Sequence, residues 1–305
     1  MFLGIDTSNY TTSAALLKDG KIINEKIMLR VKSGEKGLRQ SDAVFQHTVN
    51  LPCILDKLNI SELEAVGVSD KPRNAEGSYM PCFLAGVSAA TAAANAAGVK
   101  LYKTSHQVGH ILAALYSCGR LDLINERFIA FHLSGGTTEA LLVTPDKDEI
   151  IKAEIVSKSL DLKAGQAIDR TGVMLGLSFP CGKELDALSQ SSSKEFKVKP
   201  TIIGGDCSMS GVENKAQKMF ESGETKEDIA KFVLSYISNT VLQMLDEIIL
   251  KYGEMPVVFS GGVSSNSLLR KTINRKYEAF FAQPEFSLDN AAGVAVYAML
   301  KHKGL

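Results

Sequence analysis

The chain has no excess charge of either sign: 34 lysines and arginines are matched by 34 aspartates and glutamates. No whole-chain field draws it to nucleic acid or anionic lipid, so an RNA partner has to be met by a local patch. Cysteine is scarce. The five residues Cys53, Cys82, Cys118, Cys181 and Cys207 are odd in number, widely spaced and contain no C-x-x-C. That speaks against a disulfide frame or a thiolate zinc site and for a reducing, cytoplasmic setting. Long runs of Leu, Ile and Phe are also missing. The longest uncharged stretch, 77–99, is built from Ala, Ser, Thr, Asn and Gly, so it reads as a closely packed internal helix and no membrane partner is expected. Met1 leads straight into an apolar run containing Asp6, which is not the pattern of a signal peptide. What the chain does have is length and apolar content. Its 305 residues, 45% of them apolar, suffice for a sizeable core in two domains or one large one.

The opening FLGIDTSNYTTSAALL reads as strand, polar turn and strand, with KDG at 18–20 turning the chain into a third strand. FIAFHLSGGTTEALLV, from Phe128 to Val143, repeats this pattern about 126 residues later. The offset suggests a duplication, hence two related lobes rather than a solenoid of short repeats. We place the lobes at 1–123 and 124–305, with the last helix (about 290–303) a candidate to pack back on the first. A third glycine turn follows a strand in MPVVFSGGVSSNSLLR and leads into a helix. Helical spacing marks 41–58, interrupted by Pro52, and also 81–97, 105–116, 226–251 and 290–301. The stretch 189–199 reads as loop.

Three groups of residues carry potential chemistry. Ser134-Gly135-Gly136-Thr137-Thr138 and Ser260-Gly261-Gly262, leading to Asn266, follow strands. There glycine lets backbone N–H groups approach an anion; an ordinary tight turn is the alternative. Together they point to a nucleotide in a cleft between lobes. His106 and His110 are four apart on a helix, so their imidazoles share a face and can clamp one metal ion. On the spacing alone a paired surface or core histidine is the favoured reading; for a metal site a third ligand must come from elsewhere, with Asp289 the best candidate. The intervening Gln107, Val108 and Gly109 lack the base of a metalloprotease H-E-x-x-H motif. Asp169 and Asp186 flank the turn at Phe179–Gly182 and suit either a ribose hydroxyl or a helix cap. For RNA, the one dense basic run is 270–276.

In order, GIDTS, SHQVGH, LSGGTTEALL, GQAIDRTGVMLGLSFPCGKELD, SGGVSSNSLLR and PEFSLDNAAGVA resemble the motifs of the TsaD family, also called Gcp or glycoprotease, over nearly the whole chain. The resemblance implies an α/β, two-lobed actin-like fold, shared with sugar kinases and the Hsp-seventy ATPase domain, with duplicated mixed-sheet lobes. It implies one divalent transition metal, iron or zinc, on His106, His110 and Asp289. It also implies an adenylate pocket lined by Leu133, Ser134, Gly135, Gly136, Thr137, Asp169, Gly182, Asp186 and Asn266, to which the glycine turn adds Gly261 and Gly262. The implied activity is a metal-dependent transferase moving threonylcarbamoyl from threonylcarbamoyl-adenylate to the adenosine next to the anticodon of tRNA. Its implied partners are a smaller TsaD-like homologue and an ATPase. Departures from the family pattern support an alternative. Where the family has T-S-C-D-E-T, this chain reads Thr7 to Thr12 with Asn9, Tyr10 and Thr11. The family's G-P-G turn is replaced by 69–77, and Thr137 stands where the family has histidine. A divergent paralogue, either a carbamoyl transferase with another acceptor or a nucleotide-binding scaffold, is therefore the second expectation.

Overall fold

The computed structural model describes residues 1–8, 10–31, 38–287 and 290–305. Asn9 of the first loop and Asp289, the expected carboxylate ligand, lie outside the described residues. The chain forms two compact units. The first comprises Met1–Glu126, Thr144–Ala153 and Glu285–Leu305; the second comprises Arg127–Val143 and Glu154–Pro284.

Numbered along the chain, the first unit has strands β1 (Phe2–Asp6), β2 (Thr11–Lys18), β3 (Lys21–Met28), β4 (Ala65–Lys71) and β5 (Lys100–Ser105), in the order β3-β2-β1-β4-β5. Its helices are α1 (Gln40–Leu55), α2 (Phe83–Ala97), α3 (His106–Ser117) and, from the chain's end, α9 (Ala292–Lys303). β1 is buried along its whole length, and its side chains alternate between two covered faces. Leu3 and Ile5, with Val66 and Val68, pack against Leu51, Ile54, Ala90 and Ala94 of α1 and α2. One step out of phase, Gly4 and Gly67 face Ala295 and Val294 of α9. The alanine-rich stretch is thus an internal helix with Ala85, Ala90 and Ala94 buried. Among the described residues no helix is long and apolar enough to cross a membrane.

Two features of these helices depart from the sequence reading or sharpen it. α1 does not stop at Pro52 but runs through it to Leu55. Proline removes one ladder hydrogen bond, and the burial of Leu51 and Ile54 on either side of it holds the helix together. α3 and α9 cross so closely that a methyl group on Gly293 would fall on the carbonyl oxygen of Gly109 and 2.6 Å from the backbone N of Ala113. Only glycine fits there, and this crossing fixes the turn of α3 that bears the histidines.

The second sheet repeats the plan. Its strands β6 (Phe128–Leu133), β7 (Thr138–Asp146), β8 (Ile150–Lys158), β11 (Val257–Ser260) and β12 (Ala279–Phe281) are ordered β8-β7-β6-β11-β12. β6 pairs antiparallel with β7 and parallel with β11, as β1 does with β2 and β4. The duplicated hairpins begin at Phe2 and Phe128, so the repeat seen in the sequence is one of topology as well. Phe131, Phe259 and Phe281 stack across three neighbouring strands at centroid spacings of 4.8 and 4.9 Å. The helices α4 (Ala164–Met174), α5 (Gly182–Ser191), α6 (Ser210–Glu221), α7 (Lys226–Tyr252) and α8 (Ser267–Asn274) complete this unit, with a small hairpin of β9 (Thr201–Ile203) and β10 (Asp206–Ser208). α7 supplies much of the core through Ile229, Val233, Ile237, Val241, Met244 and Leu245.

Candidate functional site

In the first unit the site begins where β5 ends. Ser105 caps α3, its hydroxyl accepting from the N–H of Val108 at 3.3 Å, so His106 opens the helix and His110 follows one turn later. The Nε2 atoms of the two rings lie 2.9 Å apart, with ring planes at 74°. Two nitrogen ligands at their usual 2.0–2.1 Å from one cation, separated by this distance, subtend about 90° at it. A separation of this size is compatible with one shared cation and is also that of a hydrogen bond between the two rings. Among the described residues no group of three His, Cys, Asp or Glu side chains is arranged to hold a metal.

The structure adds residues that the sequence reading did not gather. Asp6, at the end of β1 and 1% exposed, accepts from the Nδ1 side of His106 at 2.6 Å through Oδ2. Its Oδ1 accepts from the Ser69 hydroxyl at 2.7 Å and from the Ser8 N–H at 2.9 Å. The contacts with Ser69 and His106 have no local sequence signal, because those partners are 63 and 100 residues from Asp6.

In the second unit Leu133 to Thr137, Gly261, Gly262 and Asn266, with Asp186 bonded to Asn266, gather at the ends of β6 and β11, whereas Asp169 sits in α4 and Gly182 opens α5. The 134–137 turn is closed by the Ser134 N–H donating to the Thr137 carbonyl at 2.8 Å and the Thr137 N–H donating to the Ser134 hydroxyl at 3.1 Å. Gly135 and Gly136 stand exposed at its tip. α4 docks behind the turn, its first N–H groups donating to the Thr138 hydroxyl and the Ser134 carbonyl. Gly261 has φ +88°, and a methyl group there would fall on the carbonyl of Leu133, so the second turn comes this close to the end of β6 because Gly261 has no side chain. Asp186 braces the second turn: its Oδ1 accepts from Asn266 Nδ2 at 2.9 Å and the Ser267 hydroxyl at 2.8 Å, and its Oδ2 from the Ser267 N–H at 3.0 Å. Asn266 in turn caps α8, accepting from the Leu269 N–H at 3.0 Å. Asp169 accepts from the Cys181 N–H at 2.9 Å through Oδ1 and so holds the turn that precedes Gly182.

Residues 39–296 match the model of the family described as TsaD, tRNA N6-adenosine threonylcarbamoyltransferase. The chain belongs to the TsaD family. A relative from Thermosipho africanus named tRNA N6-adenosine threonylcarbamoyltransferase is 30% identical over 96% of this chain and 92% of its own length. Among solved structures, component A of the Acidaminococcus fermentans (R)-2-hydroxyglutaryl-CoA dehydratase superposes with a TM-score of 0.58 at 15% identity, over 99% of this chain and 98% of that one. A ROK family glucokinase from Streptomyces griseus, solved with glucose and AMPPNP, gives 0.53 at 10% identity, over 98% and 99%. At these identities the structures establish the α/β actin-like fold alone.

Within this TsaD-family chain two further features correct or extend the sequence reading. The basic run at 270–276 is partly structural. Arg270 donates through Nε to the Ser264 carbonyl at 2.9 Å and lies over Phe281, and Lys276 pairs with Asp246 at 2.8 Å. Lys271 and Arg275 remain exposed. The second feature is His47, which sits on the buried stripe of α1 with Ala43, Leu51 and Ile54. Its Nδ1 lies 2.9 Å from the hydroxyl of Thr12, which also accepts from Asn50, while its Nε2 is buried with no hydrogen-bond partner among the described residues. Burial pushes the imidazole down to about 4, against a smaller upward pull from Asp6.

His47 sets an acid limit on stability. Between the folded value near 4 and the unfolded value near 6.5, the unfolded chain binds the extra proton. The stabilisation is therefore complete above pH 6.5 and lost as pH falls towards 4, by up to about 3 kcal/mol. Urea melts at pH 7 and pH 4.5 are expected to show this loss in the wild type and a smaller one in His47→Leu. Equal acid losses in the two proteins would contradict it.

Proposed function

We propose that this chain transfers a threonylcarbamoyl group from threonylcarbamoyl-adenylate to the adenosine next to the anticodon of tRNA. The observation that carries the reading is the convergence of His106 and His110 Nε2 at 2.9 Å, in a chain whose family model bears that activity. His106 and His110, with Asp289, would hold a divalent metal, iron or zinc. A cation held there supplies Lewis-acid polarisation of the carbonyl.

The remaining work falls to the chain's own residues. The main-chain N–H groups of the exposed Gly135 and Gly136 suit the adenylate phosphate, as donors at a turn that carries no Cβ. The carboxylate of Asp169 has a second oxygen to offer a ribose hydroxyl. Asp186 and Asn266 act one step back, holding the second turn in shape for the nucleotide through their mutual hydrogen bond. In the transfer the exocyclic amine of adenosine attacks the carbamoyl carbon. A C–N bond forms, the bond from that carbon to the phosphate oxygen breaks, AMP departs, and the amine loses a proton. Holding the two reactants together accounts for much of the acceleration in such a step. The partial use of Arg270 and Lys276 inside the unit supports partner proteins, a smaller homologue and an ATPase, as the source of most tRNA phosphate contacts. Such contacts weaken steeply with salt.

The replacement of two family acids by Tyr10 and Thr11 favours a second reading, a divergent paralogue. Thr11 is 6% exposed and its N–H closes the first hairpin on the Ser8 carbonyl, so this loop offers no acid besides Asp6 to orient an amine. Mass spectrometry of tRNA from cells in which this chain is the sole family member tests the choice. The threonylcarbamoyl mark is expected, with its loss in Gly261→Val. Absence of the mark beside retained adenine-nucleotide binding by calorimetry would select the paralogue.

A further inference from the structure

We propose that Asp6 is a positioning residue that fixes which nitrogen of His106 faces the cation. The inference rests on the metal reading above and deepens it. Asp6 meets His106 at Nδ1, at 2.6 Å, whereas the two histidines converge through Nε2. Its carboxylate is therefore on the far side of the ring from the convergence point and is not placed as a ligand. An acceptor at Nδ1 keeps the proton there and leaves the Nε2 lone pair directed at His110, the form in which a neutral imidazole binds a metal. Asp6 itself cannot turn away. It is buried, and the Ser69 hydroxyl and Ser8 N–H hold its other oxygen at 2.7 and 2.9 Å.

Asparagine at this position separates orientation from bulk. Its carbonyl oxygen still accepts from Ser8 and Ser69, which leaves the amide NH2 facing His106 Nδ1. Nδ1 then becomes the acceptor and the ring proton moves to Nε2, into the place of the cation. Two measurements test this. Nitrogen-15 NMR of the metal-free wild type is expected to show His106 protonated at Nδ1, and Asp6→Asn is expected to show it protonated at Nε2. Cobalt(II) titration, followed by visible absorption, is expected to give 10- to 100-fold weaker binding in Asp6→Asn, the usual cost of losing such a partner. Ser13→Ala, whose hydroxyl donates to the main-chain carbonyl of Asp6 at 3.3 Å, should leave the affinity unchanged. Equal cobalt affinity in wild type and Asp6→Asn, or a wild-type His106 protonated at Nε2, overturns the proposal even if Asp6→Asn folds poorly, because the second result needs no variant. A wild type that binds no cobalt(II) overturns the metal reading itself, and this inference with it.

Discussion

Alanine at His106 is expected to lower the affinity of the purified protein for cobalt(II) or zinc by about a hundredfold or more. Full protein–metal sites with four ligands amount to roughly 10–16 kcal/mol, so one ligand represents about 3 kcal/mol, which is about two orders of magnitude. The loss should be of similar size for His110→Ala, because the two Nε2 atoms stand at one point, 2.9 Å apart. The double variant should bind no more tightly than either single one. His302→Ala provides the control: that ring lies at the chain's end beside Glu64, 4.0 Å away, and should leave metal content unchanged. Metal analysis after dialysis decides the matter, and equal metal content in wild type and both single variants would remove the cation from the account of this protein.

The second large effect is expected at a residue with no side chain. Gly293→Val would place a branched side chain against the Gly109 carbonyl and the Ala113 N–H, both of them backbone atoms of α3. Backbone cannot swing aside as a flexible side chain does, so α3 and α9 must separate. α9 is buried from Ala292 to Ala298, and the damage should lie at or above the upper end of overpacking costs, about 3 kcal/mol. In a chain of this size that corresponds to a fall of about 5 °C in the melting temperature, readable by calorimetry. Cobalt affinity should fall in parallel, since the same crossing holds the turn between His106 and His110. Gly136→Ala tests whether the effect comes from close approach rather than from losing any glycine. A methyl group at Gly136 meets nothing within 4 Å, and its melting temperature should stay near that of the wild type.

Several features were legible in the sequence because they are local. The strand–turn–strand of the first hairpin, its repetition at Phe128, the histidine spacing and the helical period of α7 all follow from patterns within one element or two adjacent ones. Pro52 shows the limit of such reading. The residue is a helix breaker by its chemistry, yet Leu51 and Ile54 carry α1 through it because both are buried against β-strands. Asp186 and Asn266 show another. As types and positions they suit a nucleotide, but only the folded chain shows that they bond to each other across 80 residues.

By itself, the sequence determined the elements, the duplication and the family to which the chain belongs, since each is written in short-range periodicity or in motifs kept in order. Tertiary structure alone decided that Asp6, Ser69 and His106 form one hydrogen-bonded group, that His47 is buried with a bare nitrogen, and that Gly109 and Gly293 press two helices together. The reason is physical. Hydrogen bonds and close contacts act over a few ångströms, and which distant residues come within that range is set by how the sheet and its helices pack.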